Sequence, residues 1–201
     1  MEVRDVRHAY GRREVLRGLD LDLRPGVLAG IVGENGAGKS TLLKILSGEL
    51  RPLGGTVRHE GRFGYCPQDV VVNEALTVRQ HLEFFRVARG LSDLQYAGQV
   101  MDALRLSEYV DERAGLLSGG TRQKLNLTLA LMHDPQVVLL DEPYQGFDWE
   151  TYQRFWDLAA GLCEMGRSVL VVSHLAYDAE RLDELWRLQG GVLRPAEGAP
   201  A

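Results

Sequence analysis

A glycine-rich segment, Gly33–Thr41, contains the residue types that bind phosphate groups. Its sequence, Gly-Glu-Asn-Gly-Ala-Gly-Lys-Ser-Thr, fits the pattern G-x-x-x-x-G-K-[ST]. The glycines let successive backbone N–H groups turn toward an anion, and a following helix would point its positive end at the same place. Lys39 is expected to reach the terminal phosphates of a nucleotide, and Ser40 to offer its hydroxyl to Mg²⁺. The predicted nucleotide contacts of this loop are Gly33, Asn35, Gly36, Ala37, Gly38, Lys39, Ser40 and Thr41.

Two adjacent carboxylates, Asp141 and Glu142, follow the apolar segment Val137–Leu140. Adjacent residues of a strand point to opposite faces, so the two side chains are expected to have different roles. We predict that Asp141 belongs to the Mg²⁺ shell, through water, and that Glu142 polarises an attacking water. A strand ending in Asp-Glu is weak evidence alone, but together with the upstream phosphate loop it indicates nucleotide hydrolysis.

The segment Leu117–Thr121 narrows the class of protein, since a phosphate loop alone also occurs in kinases, GTPases and helicases. Its sequence is Leu-Ser-Gly-Gly-Thr, and it lies shortly before the acidic strand. This segment resembles the signature loop L-S-G-G-Q of the ATP-binding-cassette (ABC) ATPases. It offers a hydroxyl and exposed N–H groups at a helix N-terminus, which makes a second anion site. In the family this loop contacts the terminal phosphate of ATP held by the opposite subunit, which implies that role for Ser118, Gly119 and Gly120.

Four further positions match motifs of the same family, and the resemblance covers nearly the whole chain. Tyr10 matches the aromatic residue that stacks on adenine. Gln68 matches the glutamine that touches Mg²⁺, Asp148 the aspartate that communicates across the dimer, and His174 the switch histidine near the terminal phosphate. The implied catalytic residues are Lys39, Gln68, Glu142 and His174, and the implied Mg²⁺ ligands are Ser40, Gln68 and Asp141.

Three positions depart from the family pattern. Thr121 replaces the usual Gln of the signature loop, Tyr144 stands where Thr or Ser is usual, and Phe147 stands where Leu is usual. All three affect the expected dimer interface. The presumed base, the histidine and the phosphate lysine are present, so an active site is expected.

The elements that must position these residues predict an α/β protein. We expect a P-loop NTPase fold with a mixed or parallel central sheet, an antiparallel β part at the N-terminus and an inserted helical subdomain. Residues 1–201 are expected to form one ABC ATPase domain, with a nucleotide-binding core at about 1–75 and 117–195 and a helical subdomain at about 76–116. The predicted strands are Val3–Tyr10, Leu19–Leu23, Leu28–Val32, Thr56–Arg58, Phe63–Cys66, Val137–Leu140 and Val169–Val172. The predicted helices are Ser40–Leu50, Val78–Arg89 capped by Thr77, a helix from Ser92 to Leu104, one from Ser118 to Met132, Trp149–Glu164 and Leu175–Asp183, with a frayed tail after Gly190.

Composition limits the functions that remain. The chain has 201 residues, of which 45% are apolar, and a formal net charge of −5. That charge argues against an extended nucleic-acid footprint, so no nucleic-acid partner is expected. The N-terminus lacks an apolar signal core, and no apolar run approaches the roughly 18 residues of a spanning helix. A membrane role is therefore expected to depend on a partner.

The resemblance implies an ATP-binding, ATP-hydrolysing subunit of an ABC transporter that uses ATP and Mg²⁺. Its expected partners are a second ABC ATPase subunit, identical or not, and a polytopic membrane permease at the cytoplasmic face of the cell membrane. The segment 75–85 resembles short bacterial exporter cassettes. A soluble ABC ATPase, for example of the iron–sulfur-assembly type, is the alternative, and a P-loop kinase or GTPase is disfavoured by the signature loop and His174.

Overall fold

The computed structural model describes residues 1–173 and 179–196 of the chain. Within these ranges the strands are Glu2–Tyr10 (β1), Arg13–Asp22 (β2), Leu28–Val32 (β3), Gly54–Arg58 (β4), Phe63–Cys66 (β5), Val137–Asp141 (β6), Ser168–Ser173 (β7), Glu184–Gln189 (β8) and Val192–Pro195 (β9). The α-helices are Lys39–Leu46 (α1), Val78–Ala88 (α2), Gln95–Ala103 (α3), Gly119–Leu131 (α4) and Trp149–Glu164 (α5). Short 3-10 helices cover Ser107–Tyr109, Ala114–Leu116 and Ala179–Arg181.

Two sheets organise the described residues, and they confirm the predicted fold class. The larger sheet has the order β5-β6-β7-β3-β8-β9, in which the first five strands run parallel and β9 is antiparallel to β8. The smaller sheet, β2-β1-β4, is antiparallel. Because the parallel strands end at one edge, the segments that follow β3, β5 and β6 meet there.

Apolar side chains cover both faces of the larger sheet. One face packs against α5 and part of α4, and the other packs against α1 and the smaller sheet. A third cluster joins α2 and α3 to the other side of α4. Leu127 lies in the first cluster and Leu125 in the third, so α4 connects the helical segment to the central sheet.

The predicted cap of α2 is confirmed, whereas that of α3 was wrong. Thr77 accepts the Gln80 N–H while the Gln80 side chain accepts the Thr77 N–H, which is a capping box. The α3 helix begins at Gln95 and not directly after Ser92. Asp93 accepts the Gln95 N–H at 3.0 Å and the Ser92 hydroxyl at 3.0 Å, so the carboxylate takes the backbone donor that Ser92 was predicted to bind.

Other element boundaries also differ from prediction. The first helix ends at Leu46, four residues before the predicted end, because the chain turns at Gly48 with a positive φ. The predicted helix 175–183 falls partly outside the described residues, and its described part contains only the 3-10 helix Ala179–Arg181. Strand β8 was not predicted. The tail predicted to fray instead contains β9, which pairs with β8.

Candidate functional site

The phosphate loop leads from a fully buried strand into the N-terminus of α1. Gly38 precedes the helix with a φ of 106°, a conformation that favours glycine. Lys39 is buried, and its Nζ donates to the carbonyl oxygens of Gly33 at 2.6 Å and Glu34 at 3.0 Å. The ammonium group is therefore held against the loop that is predicted to bind phosphate.

The two adjacent carboxylates have different environments, but only Asp141 belongs to strand β6, so strand alternation does not set the direction of Glu142. Asp141 is only 2% exposed, and burial raises its pKa above the ordinary value, with the Glu142 charge adding to the rise. A hydrogen bond from the Ser40 hydroxyl and the charges of Lys39 and Lys44 oppose that rise in the pKa of Asp141. Ser40, on α1, and Asp141, at the end of β6, are thus brought together.

Glu142 turns away from the strand and toward a cavity. Its φ is 47°, in the left-handed region that a non-glycine residue adopts at a cost of about 1–2 kcal/mol. Its N–H donates to the Val172 carbonyl at 2.9 Å, which holds this backbone conformation. Gln68, two residues beyond the end of β5, donates its Nε2 to Glu142 Oε2 at 3.2 Å. Backbone strain at this point places the carboxylate beside Gln68.

A cavity of about 530 Å³, here called the nucleotide cavity, joins most of the predicted site. Tyr10 stands at its rim, 54% exposed, with its ring edge-to-face on His8 at 4.9 Å. An exposed ring beside a phosphate loop fits a stacking surface for a base. The described lining residues are Tyr10, Arg13, Val15, Asn35, Gly36, Gly38, Lys39, Ser40, Thr41, Gln68 and Glu142.

Two of these lining residues, Arg13 and Val15, were missed by the sequence analysis. Arg13 pairs with Tyr10 across the β1–β2 hairpin, and its Nη2 donates to the Gly36 carbonyl at 3.4 Å. Val15 lies directly against the phosphate loop, since a Cβ placed on Gly38 would be 2.8 Å from Val15 Cγ1. The short Gly11-Arg12 turn was the signal that could have placed both residues beside Tyr10.

The signature loop caps α4. The Ser118 hydroxyl accepts the Thr121 N–H at 3.1 Å and lies 2.9 Å from the Thr121 hydroxyl. Thr121, which replaces the usual Gln, therefore bonds within the loop. Ser118, Gly119 and Gly120 are absent from the described lining of the nucleotide cavity. The structure does not bring this loop to the phosphate loop of the same chain.

Asp148 also lies outside the described lining of the cavity. It caps α5 by accepting the Thr151 N–H at 2.7 Å, and this bond lowers the pKa of Asp148. A Cβ placed on Gly120 would lie 2.3 Å from the Gly146 carbonyl oxygen. The signature loop and the segment before Asp148 are therefore in direct backbone contact.

This contact predicts different effects for two neighbouring glycines. Gly120→Ala is expected to lower the thermal midpoint by several degrees, since the new methyl group meets backbone and an overpacked site costs about 1–3 kcal/mol. Gly119→Ala is the matched control, because a Cβ there meets no atom within 4 Å. Differential scanning calorimetry of both variants checks the prediction, and equal midpoints would contradict it.

The two aromatic departures from the family pattern are half-buried against an apolar cluster. The Tyr144 ring lies 5.3 Å from that of Tyr152, 5.6 Å from Phe155 and 5.9 Å from Trp156. Phe147 packs against the same apolar cluster. These larger side chains therefore fill space beside α5.

His174 lies outside the described residues, so its role stays a prediction.

No helix within residues 1–173 and 179–196 is long and apolar enough to cross a membrane. The same ranges contain no group of three His, Cys, Asp or Glu residues arranged to hold a metal ion.

Comparison with known proteins places this arrangement in a family. The family model of the ABC transporter matches residues 16–145. The Nod factor export ATP-binding protein I of Paraburkholderia xenovorans is 34% identical over 100% of this chain and 71% of its own length.

Solved structures agree with the sequence comparison. The ATP-binding subunit of an ABC transporter superposes with a TM-score of 0.89 at 26% identity, over 98% of this chain and 90% of the other. A dimeric bacterial ABC transporter cassette gives a TM-score of 0.85 over 98% and 99%, and at 22% identity it supports the fold alone. The chain therefore belongs to the ATP-binding subunits of ABC transporters, a family that hydrolyses ATP.

Proposed function

We propose that this cassette binds Mg-ATP in the nucleotide cavity and uses its hydrolysis to drive transport through a separate membrane subunit. The observation that carries the proposal is the convergence of the phosphate loop, Gln68 and Glu142 on one cavity, with exposed Tyr10 at its rim. The phosphate loop, Gln68 and Glu142 follow β3, β5 and β6 of the parallel sheet, and Tyr10 is the last residue of β1. A volume of about 530 Å³ suits a small-molecule ligand.

In this proposal the chain binds ATP at both its adenine end and its phosphate end. The Tyr10 ring stacks on adenine, and the backbone N–H groups of the phosphate loop bind the phosphates. Lys39 exchanges its bonds to the loop carbonyls for bonds to phosphate oxygens, which are stronger because both partners are charged. The proposed contacts in the loop are Gly33, Asn35, Gly36, Ala37, Gly38, Lys39, Ser40 and Thr41.

The residues beside the cavity fit Mg²⁺. Ser40, Gln68 and Asp141 supply hydroxyl, amide and carboxylate oxygens, the donor types that this ion prefers. Mg²⁺ is commonly held by one or two carboxylates together with substrate phosphates and water, so a dedicated cluster of acidic residues is not required. When bound, Mg²⁺ would neutralise charge on the phosphate oxygens.

Hydrolysis needs a positioned water and a group that accepts its proton. Glu142 is the proposed base, since its carboxylate lines the nucleotide cavity and the Gln68 amide orients it. The positive charge of Lys39 stabilises negative charge on the terminal phosphate. His174 is proposed as the switch residue that contacts this phosphate.

We further propose that ATP joins two cassettes. Ser118, Gly119, Gly120 and Asp148 do not line the described nucleotide cavity, yet the signature loop has the form of an anion site. A two-fold arrangement would let each subunit supply these residues to the nucleotide of the other. A homodimer and a pair with a second ABC ATPase both satisfy this geometry.

The proposed domain organisation is a core of about 1–75 and 117–195 with a helical subdomain of about 76–116.

Within the subdomain, the side chains of Phe84 and Val87 are 62% and 69% exposed on α2. They lie three residues apart and so share one helix face, here called the α2 patch. We propose that this apolar patch contacts the membrane subunit at the cytoplasmic face of the membrane. The relative from Paraburkholderia is named an export protein, which favours export as the direction.

Affinity purification from detergent-solubilised membranes tests the transporter assignment. The wild-type cassette is expected to recover a protein with several hydrophobic spans, identified by peptide sequencing. Phe84→Asp and Val87→Asp should lose it while they retain ATP hydrolysis, because a charge on the patch opposes burial at the interface. Leu53→Asp is the matched control, since Leu53 is another exposed apolar residue outside the helical subdomain. Recovery of a soluble scaffold instead would favour the assembly-factor alternative.

A further inference from the structure

We infer that Asn126, on the helix that begins at the signature loop, is a positioning residue that holds Gln68 beside Glu142. This inference rests on the proposed function, because it gives Asn126 a part in the hydrolysis assigned to that pair. It is drawn from a short chain of contacts that runs from α4 through the end of β5 to the nucleotide cavity.

The first link is the close packing of α4 on β5. A Cβ on Gly64 would lie 2.2 Å from the Ala130 carbonyl oxygen, so the helix backbone lies directly against the strand. Asn126 is one turn before Ala130 and points along the same side of the helix. This approach brings the Asn126 side chain to the end of β5.

The second link is the bond between Asn126 and the start of the Gln68 loop. Asn126 is only 6% exposed, and its Nδ2 donates to the Pro67 carbonyl at 3.0 Å and lies 3.3 Å from Cys66 Sγ. The β5–β6 register ends at Cys66 and Leu140, so Pro67 is already beyond the ladder. Pro67 also has no N–H to donate. Asn126 therefore fixes the backbone where the sheet no longer does.

The third link is Gln68 itself. It directly follows Pro67, and its Nε2 donates to Glu142 Oε2 at 3.2 Å. A small rotation at the Pro67 carbonyl would move this amide away from the carboxylate. Asn126 thus acts on the proposed base through two neighbouring residues and does not itself line the described nucleotide cavity.

A double-mutant cycle distinguishes this positioning role from a purely structural role of Asn126, because the two roles predict different changes in kcat. Burial raises the pKa of the Cys66 thiol, so the sulfur is neutral and accepts only a weak hydrogen bond from the Asn126 amide. If Asn126 acts through Gln68, its removal should matter only while Gln68 is present. A general loss of packing would lower activity by the same factor in either background.

The experiment compares kcat for ATP hydrolysis in wild type, Asn126→Ala, Gln68→Ala and the double variant. We expect Asn126→Ala to lower kcat by about five- to tenfold in the wild-type background and by less than twofold in the Gln68→Ala background. The KM for ATP should stay within about twofold of wild type, because Tyr10 and the phosphate loop are untouched. Asn126→Asp keeps the shape but loses the N–H donor and should match the alanine variant.

Thr128→Ala is the matched control. Thr128 is buried on the same helix, but its hydroxyl donates to the Lys124 carbonyl of α4 itself, so kcat should be unchanged. Thermal midpoints of all variants identify loss of folding, and Asn126→Asp carries the test if the alanine variant unfolds. Equal losses in both backgrounds, or a wild-type kcat in Asn126→Asp, would overturn the inference. If Gln68→Ala hydrolyses ATP at the wild-type rate, the role proposed for Gln68 is refuted, and the inference about Asn126 is refuted with it.

Discussion

Lys39→Ala is expected to abolish ATP hydrolysis. The ammonium group is the cation held against the phosphate loop, and it balances charge that accumulates on the terminal phosphate during cleavage. Removal of a single preorganised donor of this kind costs about 10²–10³-fold in kcat. The loss is measured as phosphate release in excess Mg-ATP.

Arg51→Ala controls for the loss of a positive charge. Arg51 is exposed and does not line the described nucleotide cavity, so this variant should keep near-normal turnover. The thermal midpoint of Lys39→Ala should be recorded as well, because the lysine also bonds two loop carbonyls in the free protein. Near-normal turnover by a folded Lys39→Ala protein would count against the site.

Glu142→Gln is expected to separate ATP binding from hydrolysis. Glutamine has nearly the shape of glutamate, and its side-chain oxygen can still accept the Gln68 amide that now binds Glu142. It cannot take a proton from water, so kcat should fall by about 10²–10⁴-fold. ATP that is bound but not cleaved should hold two cassettes together.

Size-exclusion chromatography checks this second prediction. The variant should elute as a dimer with excess Mg-ATP and as a monomer with Mg-ADP. Glu49→Gln, an exposed carboxylate elsewhere, is the control and should retain wild-type hydrolysis. A Glu142→Gln protein that binds ATP yet remains monomeric would contradict the proposed two-cassette arrangement.

Arg13 and Asn126 show what could not be predicted from local pattern. Arg13 reaches the phosphate loop only because the β1–β2 hairpin folds over it. Asn126 looked like one polar residue of an ordinary helix, and its bond to Pro67 joins positions 59 residues apart. Strand β8 was missed because Glu184, Arg187 and Gln189 interrupt its apolar residues, and only its pairing with β3 and β9 identifies it.

The phosphate loop, the acidic strand end and the α/β class could be predicted from the sequence, and the signature loop from its resemblance to the family. Those features depend on backbone freedom, strand alternation and residue type within a few positions, all of which are local properties. Which side chains meet depends on the tertiary structure. Parallel strand ends bring Ser40 to Asp141 and Gln68 to Glu142, and helix packing brings Asn126 to Pro67. Such contacts depend on the docking of elements distant in sequence, which no short segment specifies.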